Sequence, residues 1–484
     1  MRFQTLLGER HLLVPGLCLG THCLAGSACR IAKHACAVLS AKRGRASGAV
    51  RSQAEPGNEN LNSWRMRICD RLQLKSAYKT TLVTIGLFVV TFTHATTSNA
   101  DWPMFRGPNA GSIAIDAKVP IKFGGDQKEN VAWRTELPGR SVGGVIVVGD
   151  QAITTSSSGM DQRRLHLIGL NSQDGSIRWQ QEFVARGRPY CHPTSANAAP
   201  TPASDGKNIF AFYSSNDLAC VDLEGNLVWY RSLSTYFPKA GNDVGMSSSP
   251  VVVDGVCVVQ IECQGDSFAA GLSAVDGRLL WKLDRPKQAN WSSPTIVKMP
   301  SGEQVVVMQS SEDLLALAPT TGKVLWEMKL KCSTIPSTIA VDGRLVVPAG
   351  GLTVFDLSSV GASPSKLWDN NKLSANACSP LVVGRRVYTI SRTVLASGDL
   401  FSGELKWQTR LPDAKSIWSS PVVAGNNLFV FADDGKCFVV ELGDEEGKVV
   451  ATNELGEAVL GSPAISGNAM YVRGVSSVWK IAEK

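Results

Sequence analysis

The chain repeats itself around one tryptophan. A Gly-x-apolar-x-Trp unit occurs as Gly175-Ser-Ile177-Arg-Trp179, Gly225-Asn-Leu227-Val-Trp229, Gly277-Arg-Leu279-Leu-Trp281, Gly322-Lys-Val324-Leu-Trp326 and Gly403-Glu-Leu405-Lys-Trp407. Weaker copies stand at Val131-Ala-Trp133, Lys366-Leu-Trp368 and Gly447-Lys-Val449-Val-Ala451. Successive anchors are roughly 40–50 residues apart, the period of a four-stranded propeller blade. Gly after Asp174, Glu224 or Asp276 makes a tight hairpin where positive φ costs nothing. The apolar residue and the Trp are two apart, which predicts that both point to one face of the outgoing strand and pack on the next blade. Trp133, Trp179, Trp229, Trp281, Trp326, Trp368 and Trp407 are therefore expected as inter-blade core.

A second marker runs in phase with the first. A small residue plus Pro opens an apolar strand at Ala199-Pro200, Ser249-Pro250, Ser293-Pro294, Ser379-Pro380, Ser420-Pro421 and Ser462-Pro463. Ile335-Pro336 is a variant, and Ser141-Val142-Gly143 reads as a proline-free first copy. Proline suits the first residue of a strand, where no ladder donor is lost. Eight openings precede only seven outgoing strands, and the last unit ends at Ser477-Val478-Trp479-Lys480. The orphan outgoing strand, Asn130 to Leu137, lies at the front of the repeat. The expectation is an all-β, eight-bladed propeller over 130–484, made of four-stranded antiparallel blades and closed by that N-terminal strand. Seven blades is the alternative, with the copy around Trp368 as an insertion.

Charge excludes one class of partner. Residues 1–100 carry 13 Lys and Arg against 4 Asp and Glu, leaving 36 basic and 38 acidic residues for the rest. The repeat region is near neutral and holds no basic cluster interleaved with aromatics, so no nucleic-acid surface is expected. The leader divides at Met66. Residues 1–65 have no period and read as a misassigned upstream start or a disordered extension. Residues 66–100 run from basic Arg67, Arg71, Lys75 and Lys79 through apolar Thr81–Val90 to Ser98-Asn99-Ala100, the order of a cleaved secretory signal. The apolar run is short of the roughly 20 residues that span a bilayer. A periplasmic or extracellular protein starting near Asp101 follows, with no transmembrane anchor in the mature chain and as a monomer. Residues 101–129 are expected to cross the surface. The seven cysteines beyond the leader show no pair spacing of a disulfide framework or zinc site.

With these residues in hand, the chain resembles the pyrroloquinoline-quinone-like repeat propellers, within the quinoprotein alcohol dehydrogenase-like superfamily. The resemblance spans 101–484. The opening Asp101-Trp102-Pro103-Met104-Phe105-Arg106-Gly107-Pro108-Asn109 is similar to the mature start of an exported group abundant in planctomycete-type bacteria. The resemblance implies a propeller. It would also imply pyrroloquinoline quinone (PQQ) with calcium, but the quinone dehydrogenases hold their cofactor against adjacent cysteines, and this chain has no adjacent pair. Fold transfers; redox activity does not.

Propellers bind at the channel mouth. The position three residues before each opening Pro is unlike from copy to copy: Asn197, Ser247, Trp291, Ser333, Ala377, Trp418 and Leu460. Trp291 and Trp418 fall outside the repeat pattern and are the sharpest ligand-binding candidates, with Asn197. His192, on the long insertion after the first unit, joins them. Glu262 and Asp266, followed by Glu312 with Asp313 and Asp433 with Asp434, form a second loop set expected at the mouth. His166 is expected on an exposed strand face. Three functions stay open: an exported binding or scaffold module for a protein or glycan partner, a PQQ-dependent dehydrogenase, or a carbohydrate-active enzyme using mouth carboxylates. No catalytic constellation is complete.

Overall fold

The computed structural model describes residues 101–242, 244–357 and 363–483; the expected upstream extension 1–65 and signal 66–100 lie outside the described residues. The described chain forms eight antiparallel sheets arranged in sequence order. Blade 1 spans 146–184, blade 2 203–232, blade 3 251–284, blade 4 295–329, blade 5 339–370, blade 6 381–410 and blade 7 422–454. Blade 8 combines the three strands within 464–481 with the strand Val131–Glu136, which pairs antiparallel with Ser477–Ile481. Ring closure by the N-terminal strand is as the strand count required, and no sheet of the ring is left with an unpaired outer position.

The tryptophan motif joins neighbouring blades. Six of these indole N–H groups donate to a hairpin carbonyl of the next blade: Trp133 to Ser172, Trp179 to Leu223, Trp229 to Ala274, Trp281 to Pro319, Trp368 to Leu400 and Trp407 to Gly443, at 2.7–3.2 Å. The ring lies flat on the hairpin glycine of that next blade. A Cβ at Gly225, Gly277 or Gly322 would stand 2.5–2.6 Å from the tryptophan of the preceding blade. Gly and Trp of one motif thus serve two different interfaces. Positive φ makes the hairpin, and the absent side chain makes the seat.

The apolar residue of the motif does not share the face of its Trp. A bulge falls between the two in each outgoing strand, as between Leu227 and Trp229. One extra residue flips the side-chain alternation. Trp229 is buried, while Leu227 is 52% exposed on the outer edge.

Part of the segment 101–129 packs into the ring, while much of the rest stays exposed. Trp102 pairs with Val147 of blade 1, and Pro103 O accepts the Ser204 N–H of blade 2. Arg106 reaches Thr295 and Thr338 beside the innermost strands of blades 4 and 5. Ile113–Ala114 then adds a parallel strand to the inner edge of blade 7. The segment therefore crosses one end of the channel and buries Trp102, Arg106, Ala110, Ala117, Val119 and Phe123. No local period announces these contacts, because each is made with a distant blade.

Candidate functional site: the channel mouth

Hydrogen bonds around the channel set the true register of the blades. Just before each innermost strand, a backbone N–H donates to a hydroxyl of the next blade. The chain runs from Gly144 to Thr201, Ser249, Ser293, Ser337, Ser379, Ser420 and Ser462, in seven links of 2.9–3.1 Å. The hydroxyl, not the proline, is the repeating element. In blade 2 it is Thr201, before Pro202, and in blade 5 it is Ser337, after Pro336. Ala199-Pro200 and Ile335-Pro336, expected as the openings, therefore stand two residues ahead of the register that the hydroxyls set.

Corrected by two, the position three before each innermost strand's proline site becomes Val142, Ala199, Ser247, Trp291, Ile335, Ala377, Trp418 and Leu460. All eight line a single cavity of about 450 Å³ at the channel mouth. The hydroxyl ring lies one step deeper, and Phe105 lines the same cavity from the crossing segment. The mouth is thus an apolar rim over a hydroxyl collar. Trp291 is fixed, its indole donating to Gly245 O at 2.8 Å. Trp418 is 49% exposed, and its indole N–H makes no hydrogen bond.

His192 also lines the cavity. Its Nδ1 lies 2.8 Å from Thr194 Oγ1 and faces the Thr194 N–H at 3.3 Å. Arg140 donates to the carbonyls of Pro193 and Thr194 and anchors this loop. The backbone N–H on Nδ1 favours the tautomer whose proton sits on Nε2, free to donate.

The other expected site residues lie elsewhere. Asn197 is fully buried; its side chain accepts the Ser215 N–H and donates to Gln162 O, stapling the insertion to blade 2. Glu262 is 1% exposed and belongs to a buried ionic network, with Arg285 Nε at 2.7 Å and Asn290 Nδ2 at 2.9 Å. Arg285 also binds Asp313 at 2.6 Å. Burial pushes the Glu262 carboxyl up while Arg285 pulls against it; Arg285 itself is held up by its two carboxylates despite its own burial. Asp266 accepts the Lys239 N–H at 3.0 Å, outside the mouth. Glu312, Asp313, Asp433 and Asp434 do not line the mouth either. His166 is 2% exposed rather than solvent-facing, with Ser158 Oγ 2.7 Å from Nε2; burial pushes its imidazole down.

The donor set does not fit a quinone and calcium. No Asp or Glu lines the mouth, and among the described residues no three His, Cys, Asp or Glu converge as cation ligands. All seven described cysteines are unpaired, and none lines the mouth.

A family profile described as outer membrane protein assembly factor BamB matches residues 126–270, 239–409 and 391–484. The chain belongs to this family. The BamB protein of Legionella pneumophila (strain Paris) is 24% identical over 37% of this chain and 47% of its own length. Polyvinylalcohol dehydrogenase of Sphingopyxis sp. (strain 113P3) is 24% identical over 42% of this chain and 36% of its own. The chain thus spans less than half the length of either curated relative. Among solved structures, BamB from Moraxella catarrhalis superposes with a TM-score of 0.55 at 16% identity, covering 72% of this chain and 96% of that one. Quinohemoprotein alcohol dehydrogenase from Comamonas testosteroni gives 0.57 at 12% identity, covering 80% and 81%. These likenesses show the fold. Among the described residues, no helix is long and apolar enough to cross a membrane.

Proposed function

We propose that this chain is an exported, non-catalytic binding module that takes a protein partner at the channel mouth. The observation that carries the reading is the rim: eight equivalent positions, seven of them apolar, surround one cavity and include an exposed, unbonded Trp418. Exposed apolar patches of this kind mark interaction sites, and tryptophans are enriched among residues that dominate binding energy. The mouth lacks a carboxylate, so His192 stands there with no carboxylate to share an acid–base reaction. Membership in a family described as an assembly factor supports a partner that is protein. A glycan is the second reading, favoured by the exposed indole face of Trp418.

A photo-crosslinking side chain at position 418, compared with one at Ile177 on the outer edge, tests this in cells. Crosslinks to polypeptide at 418 and not at 177 are expected. Equal labelling at both positions overturns the mouth as the docking site. Labelling of 418 by glycan alone promotes the second reading. N-terminal sequencing of exported material is expected to begin near Asp101.

A further inference from the structure

The plugged end of the channel holds a buried cation without a counter-ion. Arg106 is 2% exposed, and only its Nη2 is hydrogen-bonded, to Thr295 Oγ1 at 3.3 Å and Thr338 O at 2.9 Å. Nε and Nη1 are buried with no acceptor. No carboxylate pairs with it, and burial alone pushes the guanidinium down to about 9. A buried cation with no counter-ion is destabilising. The backbone adds strain at the same place: Arg106, Asn109, Ala110 and Ser112 all have positive φ, of 51–66°. Strain of this kind persists where the surrounding structure enforces it, and it clusters at ligand clamps.

The position is as telling as the charge. Phe105, the neighbouring residue, lines the mouth cavity from below, and its ring centroid lies 5.2 Å from the Arg106 guanidinium carbon. Thr295 is two residues along the strand from Ser293 of the hydroxyl collar, a rise of about 6–7 Å. Each collar hydroxyl accepts an N–H from the neighbouring blade and still owns a proton. None of those protons is donated to a protein acceptor. Proton donors therefore line a lumen with no acidic side chain, and the buried cation belongs to the residue next to Phe105, which lines that lumen.

We propose that the plugged end of the channel is an anion site, in which Arg106 and the hydroxyl collar bind a small monoanion. That anion is a free inorganic ion or the carboxylate of a segment inserted through the mouth. This site is separate from the rim: it needs neither Trp291 nor Trp418.

Thermal melts of the full chain at fixed ionic strength, with gluconate as the bulky reference anion, test the site. Bromide, phosphate and acetate are each titrated against wild type and Arg106→Met. A saturable rise in the wild-type midpoint is expected, with no response in Arg106→Met. Without small anions, Arg106→Met is expected to melt above wild type, because it removes an unpaired buried charge. Equal responses in both proteins, or none in wild type, overturn the site. Should Arg106→Met not fold, bromide-soaked wild-type crystals decide: an anomalous peak within hydrogen-bonding distance of Nε or Nη1 supports the site, and its absence overturns it. The source is separated by a short peptide with a free C-terminal carboxylate and its amide. Tenfold tighter binding of the acid than of bromide assigns a partner's carboxylate, and parity with bromide assigns a free ion. Trp418→Ala is expected to leave the bromide response unchanged, so the site and the rim fail independently.

Discussion

Six of the eight blade interfaces are built alike, and the two flanking blade 8 are not. From blade 1 to blade 7, each pair is joined by a tryptophan and, around the channel, by a hydroxyl link. Between blades 7 and 8 the hydroxyl link survives, Ser420 N to Ser462 Oγ at 2.9 Å. The tryptophan does not: Ala451 takes its place opposite Val439. Phe123 of the crossing segment fills the gap, with ring centroids 6.4 Å from both Phe429 and Phe431. Asn453 clamps it by accepting the Phe123 N–H and donating to Ile121 O. Between blades 8 and 1 the situation reverses. Trp133 latches onto blade 1, but Gly144 offers no hydroxyl, and Gly143 and Gly461 meet backbone to backbone. Where the repeat breaks, non-repeating sequence supplies the missing contact, and all of it comes from residues 102–144.

Truncation tests that dependence with the largest effect. A chain beginning at Leu137 loses the strand Val131–Glu136, the Trp133 latch and Phe123 together. It exposes a strand edge that invites association. Aggregation or unfolding is expected by size-exclusion chromatography and circular dichroism. A chain beginning at Ile121 keeps Phe123 and the closing strand but loses buried Trp102, Arg106, Ala117 and Val119. It is expected to stay folded with a lowered melting midpoint. If the two truncations behave alike, the closing strand is not what seals the ring.

Single substitutions sharpen the same comparison. Trp281→Ala, at a regular interface, is expected to cost about 3–5 kcal/mol, the usual range for a buried aromatic. Phe123→Ala is expected to fall in that range too, because Phe123 carries the blade 7–8 contact that tryptophan carries elsewhere. Urea midpoints read both. A Phe123→Ala midpoint near wild type refutes the replacement.

The blades were legible in the sequence because their signals are local. The hairpin glycine and the tryptophan four residues later recur with a fixed period, and counting strands predicts both eight blades and the closing strand. What escaped is non-local. Arg106 and Phe123 touch blades hundreds of residues away, Trp102 pairs with Val147 of blade 1, and none of the three belongs to a repeat. Glu262 looks like a free loop carboxylate until folding brings Arg285 to it across 23 residues. The mouth was half legible. Trp291, Trp418 and His192 stand out from the repeat in the sequence, and all three line the cavity. Asn197 lies away from the mouth because the hydroxyl of Thr201, not Pro200, carries the register in blade 2. The signal was present: Thr201-Pro202 matches Ser249-Pro250 better than Ala199-Pro200 does.

The smallest effect concerns the collar itself. Ser293→Ala removes the acceptor of the Ser249 N–H. A buried donor left unsatisfied costs about 1–3 kcal/mol, but an ordinary hydrogen bond contributes only about 0.5–1.5 kcal/mol net. Ser293 lines the channel cavity, where water can replace the lost hydroxyl, so the lower range is expected. The seam between blades 8 and 1 has no hydroxyl to lose, and there the physics changes sign. Adding atoms is what hurts: a Cβ at Gly144 would stand 2.8 Å from Ser462 O and 3.0 Å from Thr201 Oγ1. Gly144→Ala must push two blades apart, and overpacking of that kind costs about 1–3 kcal/mol. Gly144→Ala is therefore expected to lower the urea midpoint more than Ser293→Ala does. The reverse order would mean that the seam yields easily, and that the hydroxyl links, rather than backbone contact at the closure, set how tightly the ring is drawn.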